Sequence, residues 1–304
     1  MAFYGKNERG WRELLSGGTP FLPFRHFRRL FGVMPSKPRC KFCHGPFEGP
    51  GSVLMRLIGK RPSGLTPQLC NQSEAMARTL PGGAEIELTM LFADIRGSTT
   101  LAEQMTPMAF SQLINRFFVT VSEVLVETRS LVDRLVGDQV IGLNVPGFAG
   151  RHHAHLAIQG AKGLLLRTGH ADPEGPWAPV GIGLHTDLAF MGAVGSEGGA
   201  TDITVLGDVT NTAARLSSLA AAGEILISDG TYLAAGLADL ELERRELDLK
   251  GKQKPVGVRV IKVTAAVSAQ NWPAGRMATE VNYRQRPGSS SFFTAFLITL
   301  WVIV

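Results

Sequence analysis

The sequence predicts an α+β fold, in which helices pack against a mainly antiparallel β-sheet. A run from Glu85 to Phe92 first alternates between polar and apolar residues and then becomes wholly apolar, as a strand entering a core does. A long segment over 106–129 has apolar residues at helical spacing, and a two-strand hairpin over 131–145 follows it. An apolar content of 44% and a charged content of 19% exclude wholesale disorder and fibrous repeats.

Each element has its own local signal. Thr106-Pro107 supplies a cap and a first-turn proline for the first long helix. Gly137-Asp138 is a hairpin signal between strands at Leu131–Val136 and Gln139–Val145. The later elements are a helix over 152–169, a glycine-punctuated pair of strands over 179–195, a strand at Asp202–Leu206, a helix over 208–220, and strands at Gly223–Ser228 and Val256–Val263. The order β-α-β-β-α-β, with additions, predicts a ferredoxin-like sandwich.

The chain divides into four predicted parts: a basic arm (1–39), an irregular cysteine-containing segment (40–80), the main domain (84–264), and a linker with a short apolar tail (265–304). The net charge of +5 is unevenly distributed. Residues 1–70 carry twelve basic and three acidic side chains, whereas the remainder carries 19 basic and 23 acidic ones. The positive charge therefore belongs to the N-terminal region, and no nucleic-acid partner is expected.

The two ends of the chain leave several interpretations open. Phenylalanines interleave with arginines over 21–31, which predicts a short amphipathic helix or arm packed on the main domain, or contact with an anionic membrane or another acidic partner. The apolar tail over 292–304 would form a helix of roughly 20 Å, shorter than the ~30 Å hydrocarbon core. This short apolar tail is consistent with an interfacial anchor, a dimer contact or a truncated reading frame. The first residues show no secretory signal, so a cytoplasmic location is expected, with or without membrane association.

Two aspartates mark the candidate catalytic edge. Asp94 ends the first predicted strand, and Gly97-Ser98-Thr99 follows as a turn whose backbone N–H groups suit phosphate oxygens. Asp138 lies at the hairpin tip, and the first strand of a ferredoxin-like sheet lies between its neighbours, so both carboxylates can reach one edge. Taken singly, each is more often a helix cap or a turn residue. Together they suit two Mg²⁺ or Mn²⁺ ions and a triphosphate.

A third element strengthens this interpretation. Asn211 and Arg215 lie four residues apart, on one face of the predicted helix over 208–220. The amide can hold a ribose, and the guanidinium can hold the negative charge that develops on a phosphate, because arginine stays charged and presents a planar fork.

Four motifs in this order resemble the catalytic domain of class III adenylyl and guanylyl cyclases: FADIRGST, RLVGD, TVLGDVTNTAARL and LKGK, within 86–263. The resemblance implies that Asp94 and Asp138 bind the two metal ions, with the backbone carbonyl of Ile95. It also implies further roles: Asn211 towards the ribose, Arg215 towards the α-phosphate, Lys250 towards the terminal phosphates, and Arg134 with Thr204 as the base-reading pair. Thr204 is similar to the bacterial adenylyl cyclase subgroup, in which threonine replaces an aspartate.

The resemblance implies a purine nucleotide cyclase for second-messenger signalling, with ATP preferred over GTP and pyrophosphate as the leaving group. It implies a homodimer in which one subunit supplies the aspartates and the other supplies Asn211, Arg215 and the base readers.

Three residues depart from the family pattern. Arg134 stands where lysine is usual, which leaves the choice of base open. Asp187 stands where glycine is common, which predicts a strained turn. Arg96 places a cation beside the metal carboxylate and is expected to weaken metal binding slightly. A catalytically weak or inactive nucleotide-binding module is therefore the alternative, whereas a diguanylate-forming palm domain lacks its glycine–glycine–acidic signature here.

The cysteines suggest a second metal site. Cys40 and Cys43 form a C-x-x-C pair, and Cys70 follows, with Ser73 where a second pair would have its fourth cysteine. The segment resembles a small cysteine-rich N-terminal region of some bacterial cyclase-domain proteins. A zinc site, completed or not by His44, no metal, and an iron–sulfur or other redox role all remain open, whereas c-type haem would require export.

Three further histidines are expected to lie in a surface loop, because they lack the i, i+4 spacing of a helical metal site: His152, His153 and His155.

Overall fold

One eight-stranded sheet organises the residues that the computed structural model describes, which are 2–17, 30–31, 38–64, 68–80, 82–195 and 201–263. The strands are β1 (Gly82–Ile95), β2 (Leu131–Val136), β3 (Gln139–Asn144), β4 (Val180–Gly195), β5 (Thr201–Leu206), β6 (Glu224–Ser228), β7 (Glu243–Leu247) and β8 (Val256–Lys262). The helices are α1 (Ala2–Leu15), α2 (Pro50–Leu57), α3 (Asn71–Arg78), α4 (Ser98–Gln104), α5 (Pro107–Glu127), α6 (Pro146–Ala149), α7 (His153–Arg167), α8 (Asp208–Leu219) and α9 (Asp229–Ala234).

The sheet confirms the predicted α+β fold. Its order is β2-β3-β1-β4-β6-β8-β7, and β5 pairs with β4 outside this path. All pairs are antiparallel except β4 with β6. Because β1 lies between β3 and β4, its C-terminal end lies beside the β2–β3 hairpin tip.

The first long helix and the hairpin form as predicted. Thr106 caps α5, since its hydroxyl oxygen accepts a hydrogen bond from the Ala109 N–H at 3.2 Å, and Pro107 opens the first turn. The hairpin strands meet through Gly137 and Asp138. Within the described part of the chain, α5 alone has the length and hydropathy of a membrane span, and it packs against β2, β3 and α7.

The predicted pair of strands over 179–195 is wrong, because this segment is the single strand β4. Its glycines allow close packing instead of a turn. A Cβ atom on Gly183 would lie 2.2 Å from the Ser217 nitrogen and 2.5 Å from the Ala213 oxygen, both in α8. Glycine at this position lets the helix backbone lie directly on the strand.

The strained turn predicted at Asp187 is also wrong. Asp187 lies inside β4 and pairs in register with Leu88 of β1. Among the described residues other than glycine, only His44 and Arg129 have positive φ. Asp187 therefore occupies ordinary extended backbone, and its carboxylate accepts a hydrogen bond from the Leu188 N–H at 2.7 Å.

The N-terminal region packs on one face of the sheet. Trp11, Leu14 and Leu15 of α1 belong to the same apolar cluster as the even-numbered residues of β1 from Ala84 to Phe92. The same cluster contains Phe31 and the three cysteines. The cysteine segment is not irregular as predicted, because it contains α2 and α3. Phe21, Phe24 and Phe27, the linker and the apolar tail lie outside the described residues.

The three histidines do not share a surface loop. His153 is buried at the first turn of α7, and its Nδ1 lies 3.0 Å from the Thr89 hydroxyl of β1. His155 is half-buried in the same helix, and only His152 is exposed. The pattern of apolar residues could not reveal this, because the polar partner of His153 lies 64 positions away.

Candidate active site

Asp94 and Asp138 lie together at the C-terminal end of β1. Asp94 is in register with Gln139, and the Ile95 N–H donates to the Asp138 carbonyl oxygen at 3.3 Å. The pKa of Asp94 is raised to about 6, mainly because the carboxylate is partly buried; Arg96 opposes this rise, and the nearby Asp138 carboxylate adds to it. The two predicted aspartates therefore lie together at one end of the central strands. Ile95, which follows Asp94, is hydrogen-bonded to the backbone of Asp138.

Arg96 lies directly against the candidate metal carboxylate. Its guanidinium forms an ion pair with Asp94, and its Nη1 donates to the Ser218 carbonyl oxygen at 3.0 Å. The two carboxylates are the hard oxygen donors that Mg²⁺ and Mn²⁺ prefer. They fit a divalent cation once the Asp94 oxygen that Arg96 holds becomes available.

The turn after the strand also has the predicted form. Gly97 adopts the left-handed conformation (φ 67°) as the residue before α4, and no side chain caps this helix. Ser98 and Thr99 contribute backbone N–H groups of the first turn, which a helix cannot satisfy internally. A Cβ atom on Gly97 would meet nothing within 4 Å, so the turn is open.

Asn211 and Arg215 lie on α8 beside the turn that follows β7. Asn211 is exposed and Arg215 is half-buried. A Cβ atom on Gly251 would lie 3.4 Å from Nη2 of Arg215, so the Lys250-Gly251 turn adjoins this guanidinium. Lys250 is exposed, whereas Lys252 forms an ion pair with Asp208 at the start of α8. The Asp208–Lys252 pair, which no motif in the sequence predicts, holds this turn against the helix.

The predicted base-reading residues lie on β2 and β5. Arg134 follows an irregularity in the β2–β3 pairing, and its guanidinium forms an ion pair with Asp202. Thr204 is half-buried, and Asp202 lies two positions before it, so both belong to one face of β5. The alternation of the strand could have identified Asp202 from sequence.

Thr204 and Asp94 are not brought together within one chain. Thr204 is in register with Gly192 of β4, which is in register with Gly83 near the start of β1. Asp94 lies at the opposite end of the same strand.

The three cysteines form a compact buried cluster. Their Sγ atoms all lie within 4.8 Å of one another, and the Cys43 and Cys70 sulfurs are 3.7 Å apart. Two thiolates on a tetrahedral zinc ion, at a Zn–S distance near 2.3 Å, are about 3.8 Å apart. Backbone N–H groups already donate to two of the sulfurs, from Cys70 to Cys40 and from Ser73 to Cys70. The cluster fits a thiophilic cation.

The surroundings of the cluster supply a hydroxyl and a cation. The Ser73 hydroxyl lies 3.1 Å from the Cys70 sulfur, in the place of the missing fourth cysteine. Lys60 is buried, with its Nζ at 3.9 Å from the Cys43 sulfur and 3.8 Å from the Cys70 sulfur. His44 has a positive φ of 62°, and its N–H donates to the Cys40 carbonyl oxygen, which forms the tight C-x-x-C turn.

Comparisons with known proteins identify the family of the main domain. The family model of the adenylate and guanylate cyclase catalytic domain matches residues 84–262. An adenylate cyclase of Anabaena cylindrica is 28% identical over 186 residues, which are 58% of this chain and 36% of that protein. An uncharacterized protein of Mycobacterium tuberculosis is 32% identical over 189 residues, 59% of this chain and 33% of that one. The chain thus spans about a third of the length of these curated relatives.

Two solved structures share the fold. The guanylyl cyclase Cya2 has a TM-score of 0.52 at 25% identity, over 58% of this chain and 91% of that one. The adenylyl cyclase CyaB from P. aeruginosa has a TM-score of 0.50 at 27% identity, over 59% and 95%. The sheet, the adjacent aspartates and the family match over 84–262 lead to one conclusion: the chain belongs to the family of adenylate and guanylate cyclase catalytic domains.

Proposed function

We propose that this protein is a purine nucleotide cyclase that converts ATP, in preference to GTP, to the 3′,5′-cyclic nucleotide and pyrophosphate. The observation that carries the proposal is the adjacency of Asp94 and Asp138 at the end of β1. An adenylate cyclase among the relatives supports the reaction class. The predicted setting is the cytoplasm, where ATP is available.

Each proposed residue has one task. Asp94 and Asp138 hold Mg²⁺ or Mn²⁺, which lowers the pKa of the ribose 3′-hydroxyl and offsets phosphate charge when bound. Asn211 orients the ribose, and Arg215 stabilises the charge that develops on the α-phosphate.

Two further groups complete the site. Lys250 pairs with the departing pyrophosphate, and Arg134 with Thr204 contacts the base. Because Arg134 stands where lysine is usual, the preference for adenine over guanine has to be measured.

We further propose that the active form is a homodimer with shared sites. Thr204 and Asp94 lie near opposite ends of β1, and one nucleotide has to contact both the base-reading residues and the aspartates. This separation supports a site shared between two subunits. In such a dimer, the aspartates of one subunit meet Asn211 and Arg215 of the other.

The test is synthesis of cyclic nucleotide by the purified full chain with ATP or GTP and Mn²⁺. Asp94→Ala and Asn211→Ala should each lower the rate at least 100-fold, and a mixture of the two should regain part of it. Glu241→Ala, which removes an exposed carboxylate outside the site, is the matched control. No cyclic product at high protein concentration overturns the enzyme proposal, and nucleotide binding without turnover then supports the alternative of an inactive module.

The cysteine cluster has its own proposed occupant, one Zn²⁺ held by Cys40, Cys43 and Cys70. Three thiolates leave the complex with a net charge of −1, and buried Lys60 offsets it. Metal analysis of the full chain should find one zinc ion per chain. Cys70→Ser should lose the ion, whereas Ser73→Cys should retain it against a stronger chelator. A wild-type chain that takes up no metal from zinc-buffered solution contradicts the proposal, and a sulfide-containing chromophore indicates an iron–sulfur centre instead.

A further inference from the structure

A single carboxylate joins the cysteine segment to the predicted base-reading residue. Asp202 of β5 lies between two guanidinium groups, one from Arg134 of β2 and one from Arg78 of α3. Arg78 Nη1 donates to Asp202 Oδ1 at 3.1 Å, and Arg134 Nη2 donates to Oδ2. The two arginines therefore share one acceptor, each through a different oxygen.

Arg78 is anchored on its own helix. Its Nε and Nη2 both donate to Glu74 Oε1, at 3.1 and 2.9 Å, and the Glu74 side chain is only 5% exposed. Cys70 caps the helix that carries both residues, since its sulfur accepts a hydrogen bond from the Ser73 N–H. The guanidinium that holds Asp202 is thus fixed by the cysteine segment and does not move freely on the surface.

The same elements enclose a cavity beside Arg134. The cavity has a volume of about 200 Å³, and residues of β2 and β5 both line it. The cysteine segment supplies Phe42 and Leu69 to its apolar lining. The charged lining residues are Arg78, Asp133, Arg134 and Asp202. Pockets for whole ligands usually have volumes of about 300–1,000 Å³, so this smaller space suits a ring-sized group at most.

We infer that the cysteine segment takes part in selecting the nucleotide base, with Arg78, acting through Asp202, as the positioning residue for Arg134. The inference rests on the proposed cyclase function. The Asp202 carboxylate forms ion pairs with both Arg78 and Arg134, so removal of Arg78 strengthens its pairing with Arg134. Arg134 is then held more tightly and has less freedom to donate to a purine. Removal of the Asp202 charge has the opposite effect, because Arg134 loses its shorter ion pair and keeps the longer one with Asp133, at 3.8 Å.

The experiment compares Arg78→Ala and Asp202→Asn with the wild-type full chain, using initial rates with ATP and with GTP. Arg78→Ala should raise KM for the preferred nucleotide at least threefold while kcat stays within twofold, because the aspartates are untouched. Both variants should change the ATP-to-GTP ratio of kcat/KM at least fivefold. Arg78→Lys, which keeps a cation, should restore part of the wild-type ratio.

Arg9→Ala is the matched control, because Arg9 pairs with neighbouring Glu13 on the exposed side of α1 and should leave the ratio unchanged. The double variant should be non-additive, because the two residues act through one contact. Loss of kcat with unchanged KM for both nucleotides indicates a merely structural role and overturns the inference, as does an unchanged ratio. If the wild-type chain makes no cyclic product, the proposed function fails separately. The same ratio is then measured as equilibrium binding of ATP and GTP, and absence of any binding overturns both.

Discussion

At the scale of single residues, Arg96 competes with the proposed metal ion for the carboxylate of Asp94. A carboxylate oxygen held by a guanidinium has to exchange that partner before it binds a cation. The pair is partly buried, with side chains 22% and 21% exposed, so the interaction is stronger than that of a fully exposed pair.

Arg96→Val should therefore raise the affinity for Mn²⁺ roughly fivefold, since an ion pair of this kind contributes about 1 kcal/mol. Mn²⁺ binding measured by electron paramagnetic resonance reports this without turnover. Arg96→Lys keeps the charge and should remain close to wild type. The loss of the Arg96 bond to the Ser218 carbonyl oxygen should lower thermal stability in both variants, which separates the two effects. Equal Mn²⁺ affinity in all three proteins would show that Arg96 does not compete with the metal.

His185 gives the fold a defined dependence on pH. Burial lowers its pKa below the usual 6.5, and Lys252 lowers it further, although Asp187 and Asp208 oppose the shift. Its Nδ1 lies 2.8 Å from the Ser228 hydroxyl. Because the unfolded chain binds the proton first, the contribution of neutral His185 to stability is complete above about pH 6.5. It is lost as the pH falls below that value, through the lower pKa of the folded protein.

His185→Asn, which keeps a polar group near Ser228, should therefore lose less stability than wild type between pH 7.5 and 5.5. Melting temperatures over this range provide the measurement. Asp94 and Asp133, whose pKa values burial raises to about 6, act in the opposite direction but are present in both proteins. Parallel curves for the two proteins would contradict the assignment of His185 as neutral and buried.

At the scale of elements, the contact between β4 and α8 depends on glycine. The backbone of α8 lies within 2.5 Å of where a Gly183 Cβ atom would be. Gly163 of α7 offers a contrast, because its Cβ atom would make an ordinary contact of 3.6 Å with Val124.

Gly183→Ala should destabilise the protein by about 3 kcal/mol or more, since neither backbone can move aside cheaply. Gly163→Ala should be neutral or more stable by up to about 1 kcal/mol, because alanine is the better helix former. Urea unfolding of both variants measures the difference. Similar losses in the two variants would show that the strand and helix tolerate separation at Gly183.

The sequence predicts elements well where a single signal determines them. The α5 cap at Thr106 and the Gly137-Asp138 hairpin are local, and both form as predicted. The glycines of β4 mislead, because their cause is a helix about 30 residues later. The sequence does not predict the strand β7, because β7 is a charged edge strand with no apolar run.

The candidate site divides in the same way. Asp94 and Asp138 could be paired from sequence, because strand order alone brings them to one edge. Arg78 and Asp202 could not, because 124 residues separate them and neither belongs to a motif. Sequence patterns predict contacts between residues that are close in the chain or in neighbouring strands. Contacts that tertiary packing makes between distant residues are seen only in the structure.

At the scale of the whole molecule, the basic N-terminal region and the sheet form one apolar cluster. The sequence divides them by charge and composition, but burial unites them. Trp11 of α1 is 1% exposed, and Phe42 of the cysteine segment stacks on Phe148 at 5.6 Å between ring centroids. Asp94 continues the parity of Phe92 on β1, so this region covers the sheet face that carries the candidate metal site.

If α1 is an integral part of that core, Trp11→Ala should destabilise the full chain by about 3–5 kcal/mol, as loss of a buried tryptophan does. Denaturant unfolding followed by far-ultraviolet circular dichroism measures the change, and both proteins should unfold in one transition. Arg9→Ala on the exposed side of the same helix should change stability by less than about 0.5 kcal/mol. A small loss for Trp11→Ala, or two transitions of which only one moves, would instead make the N-terminal region a separate arm. The sheet face with Asp94 would then be available to a partner subunit without unfolding any of the core.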